Sequence, residues 1–257
     1  MTISLEDRLK DHSYIIDILR FIAAICVIFT HSYALTINSG DPLERLKGGY
    51  CTALSGFAVA VFFFISGLYV TKSLENSASI GGFLLKRCKR IFPQMIVLSL
   101  VTVFVLGPIL TSLPLKAYFT SKQTYLYLLN SILIPIHDLP GVFTNNPYLP
   151  TVNGALWTMP YEFVSYLLLA FTPLFAVAML FLFPYFILTV SLGIPQLKKA
   201  PQIFSSSYEM YLVGFPIQQT LIYATGNMTP LSNWLIAVPL DIVVGYIFYI
   251  LMKRIIR

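Results

Sequence analysis

The sequence predicts an all-α membrane protein, a polytopic transmembrane helical bundle with about six to eight crossings. Hydrophobic residues make up 57% of its 257 residues and charged residues only 11%, whereas a soluble domain carries about 25% charged residues. The apolar residues also occur in long stretches, and a helix needs about 20 of them to cross a bilayer. We therefore expect one membrane-embedded domain over residues 1–257, surrounded by lipid.

Five apolar stretches are long enough to cross the bilayer as single helices. They cover residues 14–37, 51–70, 92–113, 208–225 and 233–252. Two further regions leave the number of crossings open. Residues 124–136 are short for an ordinary span. Residues 157–195 contain four prolines, so either one kinked helix or two short crossings would fit there. The bundle has about six crossings if residues 124–136 stay at the surface, and about eight if they cross.

The distribution of basic residues predicts the orientation of the bundle. Lys and Arg concentrate in a loop expected at 71–90 and at the C-terminal end, and short loops rich in these residues face the cytoplasm. Both termini are therefore expected on the cytoplasmic side, and the net charge of +6 implies no nucleic acid partner. Cys26, Cys51 and Cys88 show no CxxC spacing, so we expect free thiols and no metal site.

Asp17, Arg20 and His31 lie inside the first apolar stretch. The eleven-residue step from Arg20 to His31 is within roughly 20° of three whole turns, so both side chains share one face, about 16 Å apart. Ionisable residues in a span are costly and usually face a protein interior or a functional site. Arg20 suits a phosphate or carboxylate, and His31 suits a base that takes a proton from a hydroxyl. The alternative is a structural pair of Arg20 with Asp17.

Two short motifs follow. Arg87 and Arg90 lie three residues apart in LLKRCKRIFP, so a helix places both guanidinium groups on one face, just before a third span with Pro93 near its start. Two such groups suit a polyphosphate, although basic residues at this boundary are also ordinary membrane anchors. In the second span, Ser66 and Gly67 interrupt the aromatic run FFFISGLY and indicate a notch where helices pack.

Glu162 lies just inside an apolar region, in the stretch NGALWTMPYE (residues 153–162). A carboxylate there is costly unless paired, so we expect it to meet an arginine, His31 or a substrate. A first-turn glutamate favoured by the helix dipole is the alternative. Further on, SSSYEMYLVGFP places Tyr208 at the start of a span, which by itself is typical of an interfacial tyrosine belt.

Taken in order, these stretches resemble the acyltransferase 3 family of membrane O-acyltransferases. The likeness rests on Arg20 and His31 in the first span, the FFFISG run of the second, and Arg87-x-x-Arg90 followed by Pro93. It continues in NGALWTMPYEF and in SYEMYLVGFP, and it extends over nearly the whole chain.

The resemblance implies transfer of an acyl group, often acetyl, from a cytoplasmic acyl-coenzyme A to a hydroxyl of a carbohydrate or surface polysaccharide at the cell inner membrane. It makes His31 the catalytic base, assisted by Glu162, while Arg20, Arg87 and Arg90 bind the donor. Other residues in the matching motifs would shape the substrate site: Ser66, Asn153, Trp157, Tyr161 and Tyr208. Acyl-coenzyme A and a glycan are thus the expected partners, with no permanently bound cofactor.

The second half of the chain is shorter than the family pattern. Only about forty residues separate Glu162 from Ser205, where the family usually has several helices. The ligand cavity would therefore be open, smaller than usual, or completed by a second copy of the chain. An inactive relative, or a transport-like bundle with a polar intramembrane path, is the alternative function. An enzyme predicts the three arginines around one cavity that opens beside the histidine. A structural or assembly protein predicts a buried Arg20–Asp17 pair without a cavity.

Overall fold

The computed structural model describes residues 14–46, 54–171 and 201–256, and most of these residues are helical. Within these ranges no strand forms, and the only β-type pairings are isolated bridges between loops. The predicted all-α fold class is therefore confirmed. Cys51 and residues 172–195 of the predicted proline-rich region lie outside the described residues.

The bundle contains six helices of 14 or more residues within those ranges. They are α1 (Tyr14–Ile37), α2 (Leu54–Glu75), α3 (Ile80–Val101), α4 (Thr158–Phe171), α5 (Ser207–Thr225) and α6 (Pro230–Ile255). Four of them are long and apolar enough to cross a membrane, namely α1, α2, α6 and α3 with its continuation to Leu110. The chain is thus a membrane protein. The total number of crossings stays a prediction, because residues 172–200 are not described.

Helix α5 lies at the centre of the bundle. It packs against α1 and α6, and α1 also packs against α2. Most side chains of α5 are buried, and they include the polar residues Glu209 and Gln218. A Cβ atom added to Gly245 of α6 would lie 2.7 Å from Cγ of Met210 on α5. This glycine therefore allows the two helices to approach each other closely.

Helix α3 begins at Ile80, well before the start expected at residue 92, and the predicted loop 71–90 is wrong. Helix α2 continues to Glu75, so only a short turn joins the two helices. The side chain of Ser79 caps α3 by accepting a hydrogen bond from the Gly82 backbone N–H at 3.1 Å. The Leu, Lys and Arg residues that follow are good helix formers, which explains why the basic segment joins the span.

Pro93 consequently lies inside α3 and not near its start. Proline lacks an N–H, so one helical hydrogen bond is missing at this point. Farther along, the helix passes through a π-helical turn, Thr102–Leu106, and ends at Leu110. The helix is therefore longer and less regular than its apolar stretch predicts.

Residues 115–132 form short helices that pack beside α3. These are Leu115–Thr120, Lys122–Leu126 and the 3₁₀ helix Tyr127–Ile132. The helical part from 122 to 132 extends roughly 20 Å, which is less than the roughly 30 Å of a hydrocarbon core. The hydroxyl of Tyr118 donates a hydrogen bond to the Val103 carbonyl at 2.9 Å and ties the segment to α3. This geometry favours the alternative in which the segment does not cross.

Candidate active site

A small cavity, here called the inner cavity, lies between α1, α2, α4 and α5. Its volume is about 40 Å³, which is room for roughly three water molecules. Aromatic and aliphatic side chains of α2 form part of its wall. The polar residues that line it are Arg20, Ser66, Thr158, Glu162, Tyr208 and Tyr211. Four of these six were candidates from the sequence, and the fold brings them together from four different helices.

Arg20 is the cationic residue of the inner cavity. Its Nε atom is buried and has no hydrogen-bond partner within the described part of the chain. Its guanidinium carbon lies 5.9 Å from the centre of the Phe62 ring. Asp17, one turn earlier, accepts a hydrogen bond from Ser205 Oγ at 3.4 Å. A buried donor without a partner is costly, so Arg20 is suited to bind an anionic or carbonyl group that enters the cavity. The structural or assembly alternative predicted that Arg20 would lie against Asp17 without a cavity, and the inner cavity contradicts it.

Glu162 and Ser66 are joined through Tyr166. The hydroxyl of Tyr166 donates a short hydrogen bond to Glu162 Oε1, and it lies 3.3 Å from Ser66 Oγ. Because the tyrosine proton is directed at the carboxylate, the serine hydroxyl is the donor of the second bond. The chain Ser66–Tyr166–Glu162 therefore holds α2 and α4 together along one side of the inner cavity.

A second, larger opening, here called the basic cleft, lies at the end of the bundle where α3 starts and α6 ends. Its volume is about 430 Å³. The charged residues that line it are Lys86, Arg87, Lys89, Arg90, Glu209 and Lys253. The predicted pair Arg87 and Arg90 thus shares a cleft with Lys253 from the far end of the chain. Two basic segments that are distant in sequence lie at the same end of the bundle.

Arg87 is held by α2 and α4. Its Nη2 donates a hydrogen bond to Ser73 Oγ at 3.2 Å. Its guanidinium carbon also lies 5.9 Å from the centre of the Tyr166 ring. The tyrosine that contacts Glu162 therefore also contacts Arg87, which lines the basic cleft.

The two openings meet at Arg90 and Tyr208. Arg90 lines the basic cleft and Tyr208 lines the inner cavity. The guanidinium carbon of Arg90 lies 4.9 Å from the centre of the tyrosine ring, within the range of a cation–π contact. This contact separates the cleft from the cavity. The three arginines therefore line two adjacent spaces that this contact separates, where the sequence predicted one.

His31 lies on α1 outside the lining of the inner cavity. Its ring meets Phe215 edge to face, with centres 5.2 Å apart, and it makes no hydrogen bond to any residue that the structure describes. Since His31 is about 16 Å along α1 from Arg20, a cavity of this size does not reach both. The predicted separation of the two residues along the helix is therefore retained, but the inner cavity, as the described residues form it, does not extend to His31.

One face of α5 connects the inner cavity with His31. Tyr211 lines the outer end of the cavity, and its hydroxyl lies 2.8 Å from Thr158 Oγ1 and donates to the Ala155 carbonyl at 3.0 Å. Phe215 follows one turn later, a rise of about 6 Å, and contacts His31. Sequence reasoning did not select Tyr211 or Thr158. The signal that could have found them is their position on the same helical faces as Tyr208 and Glu162.

Trp157 and Tyr161 do not reach the inner cavity. Their side chains are 53% and 62% exposed, and their rings pack edge to face at 5.7 Å. A step of one residue turns a helix by about 100°, so inward positions at Thr158 and Glu162 leave these two aromatics on the outer face. The structure therefore places both away from the site that the sequence assigned to them.

Asn153 is buried and connects the chain before α4 to α5. Its Nδ2 donates to the Leu212 carbonyl of α5 at 2.8 Å. Its Oδ1 accepts from the Ala155 N–H at 3.1 Å and caps the 3₁₀ helix Gly154–Trp157. Asn153 therefore fixes this short helix against α5 and does not line the cavity.

The two small residues of the FFFISGLY run have different surroundings. Ser66 faces Tyr166 and the inner cavity, whereas Gly67 is exposed and a Cβ added there would meet no atom within 4 Å. The expectation of a packing notch is therefore wrong for Gly67, because adjacent residues of a helix face different sides.

The comparisons with known proteins agree with the helical bundle and its motifs. The model of the acyltransferase 3 family, described as an acyltransferase domain, matches residues 13–228. The chain is 36% identical over 155 residues to the "O-acetyl transferase" of Shigella phage Sf6, covering 59% of this chain and 43% of that protein. It is 33% identical over 172 residues to "Nodulation protein 10" of Rhizobium leguminosarum bv. viciae, covering 64% and 45%. Each alignment thus spans less than half of the relative's length. No solved structure matches significantly. Since the family model covers most of the chain, the protein belongs to the acyltransferase 3 family.

Proposed function

We propose that the protein is an O-acyltransferase that moves a short acyl group, such as acetyl, from acyl-coenzyme A to a hydroxyl of a carbohydrate. The observation that carries this proposal is the meeting of two different spaces at Arg90 and Tyr208. One is open and basic, and the other is small and lies among the helices. A donor with a polyanionic head and a long uncharged arm that ends in a thioester matches this arrangement.

The basic cleft supports a nucleotide head group. Five Lys and Arg side chains line it, and such side chains bind phosphate oxygens through charge-assisted hydrogen bonds. The two guanidinium groups of Arg87 and Arg90 can each present two N–H donors to one phosphate. The cleft therefore has the charge and the donors that the phosphates of coenzyme A require.

The inner cavity supports a short acyl group. Its volume of about 40 Å³ corresponds to roughly three water molecules, and an acetyl group has three non-hydrogen atoms. A fatty acyl chain would require the aromatic side chains of α2 to move. The name of the phage relative, "O-acetyl transferase", agrees with transfer of a two-carbon acyl group.

His31 is suited to act as the general base at the outer end of this path. In the proposed step, the imidazole takes the proton of the acceptor hydroxyl, and the hydroxyl oxygen forms a bond to the thioester carbonyl carbon. The carbon–sulfur bond then breaks, and the coenzyme A thiolate takes up the proton. For this step the donor arm passes Arg90 and Tyr208, and the thioester lies near Tyr211, one helical turn from Phe215 and His31.

The family resemblance supports the acceptor, and the distribution of charge supports the orientation in the membrane. Carbohydrate hydroxyls are the acceptors that the family resemblance implies. The basic cleft gathers Lys86 to Arg90 and Lys253 at one end of the bundle, and the positive-inside rule places such an end in the cytoplasm. This orientation in a cell inner membrane gives the cleft access to cytoplasmic acyl-coenzyme A and leaves the end of α1 that carries His31 on the opposite side.

Acetyl transfer in membranes tests the proposal. Acetyl-coenzyme A that carries a label in its acetyl group is added to three membrane preparations. They contain the wild-type protein, the variant His31→Gln or the variant His137→Gln. The label that mild base releases from the envelope glycan fraction is then counted. We expect His31→Gln to lower the transfer rate by about 100-fold or more, because a general base contributes factors of that size.

The variant His137→Gln is the matched control, because it changes a histidine that does not line the inner cavity and whose Nδ1 lies 3.1 Å from the Asn153 carbonyl. We expect it to keep most of the transfer rate. Equal rates in wild type and His31→Gln, with both proteins folded and inserted, would refute the assigned mechanism.

A further inference from the structure

The basic cleft contains two buried acceptor atoms without partners. Gln94 and Glu209 both line the cleft, and their side chains are only 1% and 0% exposed. Gln94 Nε2 donates a hydrogen bond to Glu209 Oε1 at 2.9 Å. The remaining oxygens, Gln94 Oε1 and Glu209 Oε2, accept no hydrogen bond from any residue that the structure describes. This pair differs from the rest of the cleft, whose other charged side chains are all cationic.

Unpaired acceptors in a buried position are costly, so a ligand that donates two hydrogen bonds would be favoured there. A phosphate group has no suitable donor at neutral pH. An ammonium group would be repelled by the five cationic side chains around the cleft. A neutral amino group with two N–H bonds avoids both problems, and amino-bearing nucleobases carry such a group next to phosphates that the cations can bind.

We propose that Gln94 and Glu209 bind the exocyclic amino group of the adenine ring of the donor, which makes this pair the element that selects adenine. The proposal rests on the proposed function, since it assigns the nucleotide part of acyl-coenzyme A to the basic cleft. Tyr249 lines the same cleft as the pair, and its ring stacks on Tyr246 at 6.3 Å and lies 5.6 Å from Lys253 Nζ. The adenine ring lies against this tyrosine, and its phosphates lie toward Arg87 and Arg90.

Coenzyme A and its deaminated analogue, in which hypoxanthine replaces adenine, test this directly. The analogue keeps the phosphates and the pantetheine arm but lacks the amino group. The affinity of both ligands is measured for the whole protein in lipid nanodiscs. We expect coenzyme A to bind about ten- to a hundred-fold more tightly than the analogue, as expected when a hydrogen bond to a charged acceptor is lost.

The variant Glu209→Met removes the charged acceptor while keeping a side chain of similar length. We expect this variant to weaken the binding of coenzyme A by the same factor and to leave the affinity for the analogue almost unchanged. The preference for coenzyme A then disappears. Because both ligands are compared in one variant, general effects on folding cancel. Where this variant does not fold, Gln94→Met is used, and we expect it to reduce the preference by several-fold.

The outcomes separate this inference from the proposed function. Arg87→Ala removes a cleft cation, whereas Arg254→Ala removes an exposed cation that does not line the cleft. If wild type binds both ligands equally and Arg87→Ala alone weakens both, the donor cleft stands and the role of Gln94 and Glu209 is refuted. A preference that persists in Glu209→Met refutes it as well. If wild type binds neither ligand, the donor assignment itself is refuted.

Discussion

Gly245 on α6 offers a direct test of how α5 is positioned. A Cβ atom at this residue would lie 2.7 Å from Met210 Cγ, 3.0 Å from its backbone N and 3.1 Å from its Cα. The methionine side chain can rotate away, but the backbone atoms move only if α5 moves. Because Tyr208 and Glu209 immediately precede Met210, the substitution Gly245→Ala is expected to shift the residues between the inner cavity and the basic cleft.

The magnitude of the effect follows from two opposing contributions. Replacing a helical glycine with alanine stabilises a helix by about 0.8–1.0 kcal/mol, whereas overpacking a close contact costs about 1–3 kcal/mol. Gly67 on α2 provides the matched control, because a Cβ there meets no atom within 4 Å. Both variants gain helix propensity, so the difference between them isolates the cost of the contact. We expect Gly245→Ala to be about 1–3 kcal/mol less stable than Gly67→Ala.

Thermal unfolding of the two purified variants in the same detergent measures this difference. For a chain of this size, 1 kcal/mol corresponds to about 2–4 °C in Tm, so Gly245→Ala should melt roughly 2–12 °C below Gly67→Ala. Acetyl transfer by Gly245→Ala should also fall, whereas Gly67→Ala should retain it. Equal melting temperatures would show that α5 and α6 can separate at no cost and would refute the argument from close packing.

Two further predictions concern polar residues that fix loops. Burial by itself raises the pKa of Asp41, but hydrogen bonds from Thr30 and from backbone N–H groups, among them that of Leu54, outweigh burial and hold the pKa below its ordinary value. The stabilisation should therefore be complete above the unfolded pKa of about 3.9 and disappear as pH falls through the lower folded value. Unfolding midpoints should show wild type more stable than Asp41→Asn by about 1–3 kcal/mol near pH 7, and a difference that does not shrink in acid would contradict this. Asn153→Ala loses two buried hydrogen bonds and should cost about 1–3 kcal/mol, measured as a lower Tm. The exposed control Asn76→Ala should stay within about 0.5 kcal/mol, and a similar loss in both variants would count against the role of Asn153.

The first helix shows which parts of the fold the sequence predicts well. Its bounds, Tyr14–Ile37, agree with the expected stretch, because the apolar run is followed directly by Asn, Ser and Gly, which favour turns. Helix α3 shows the opposite case. Its first turns are basic, so hydropathy alone placed the start at residue 92, although helix propensity and the Ser79 cap extend the helix to Ile80. Composition identifies the lipid-facing part of a helix and not its full length.

The candidate site shows a similar division. Arg20 and Glu162 could be selected because charged groups are rare inside apolar helices, and Ser66 and Tyr208 through the family resemblance. All four line the inner cavity. The rotation of a helix about its axis decides which neighbouring residues face the cavity together with such a residue. The apolar pattern alone does not determine that rotation. This is why Trp157 and its neighbouring aromatic were assigned to the site but lie on the outer surface.

The inner cavity and the basic cleft differ in their relation to the family. Every residue that lines the inner cavity lies within the matched range 13–228, so the likeness to known acyltransferases bears on the acyl end of the path. One wall of the basic cleft, residues 249–256, lies beyond that range. Gln94 and Glu209 lie within the matched range, whereas Tyr249, the proposed neighbour of the adenine ring, lies beyond it. In the proposed function, a donor that enters the cleft would displace Arg90 from Tyr208 before its arm reaches the inner cavity, and phosphate groups that attract the guanidinium would favour this displacement. Binding of the donor head is thereby linked to opening of the passage for its thioester.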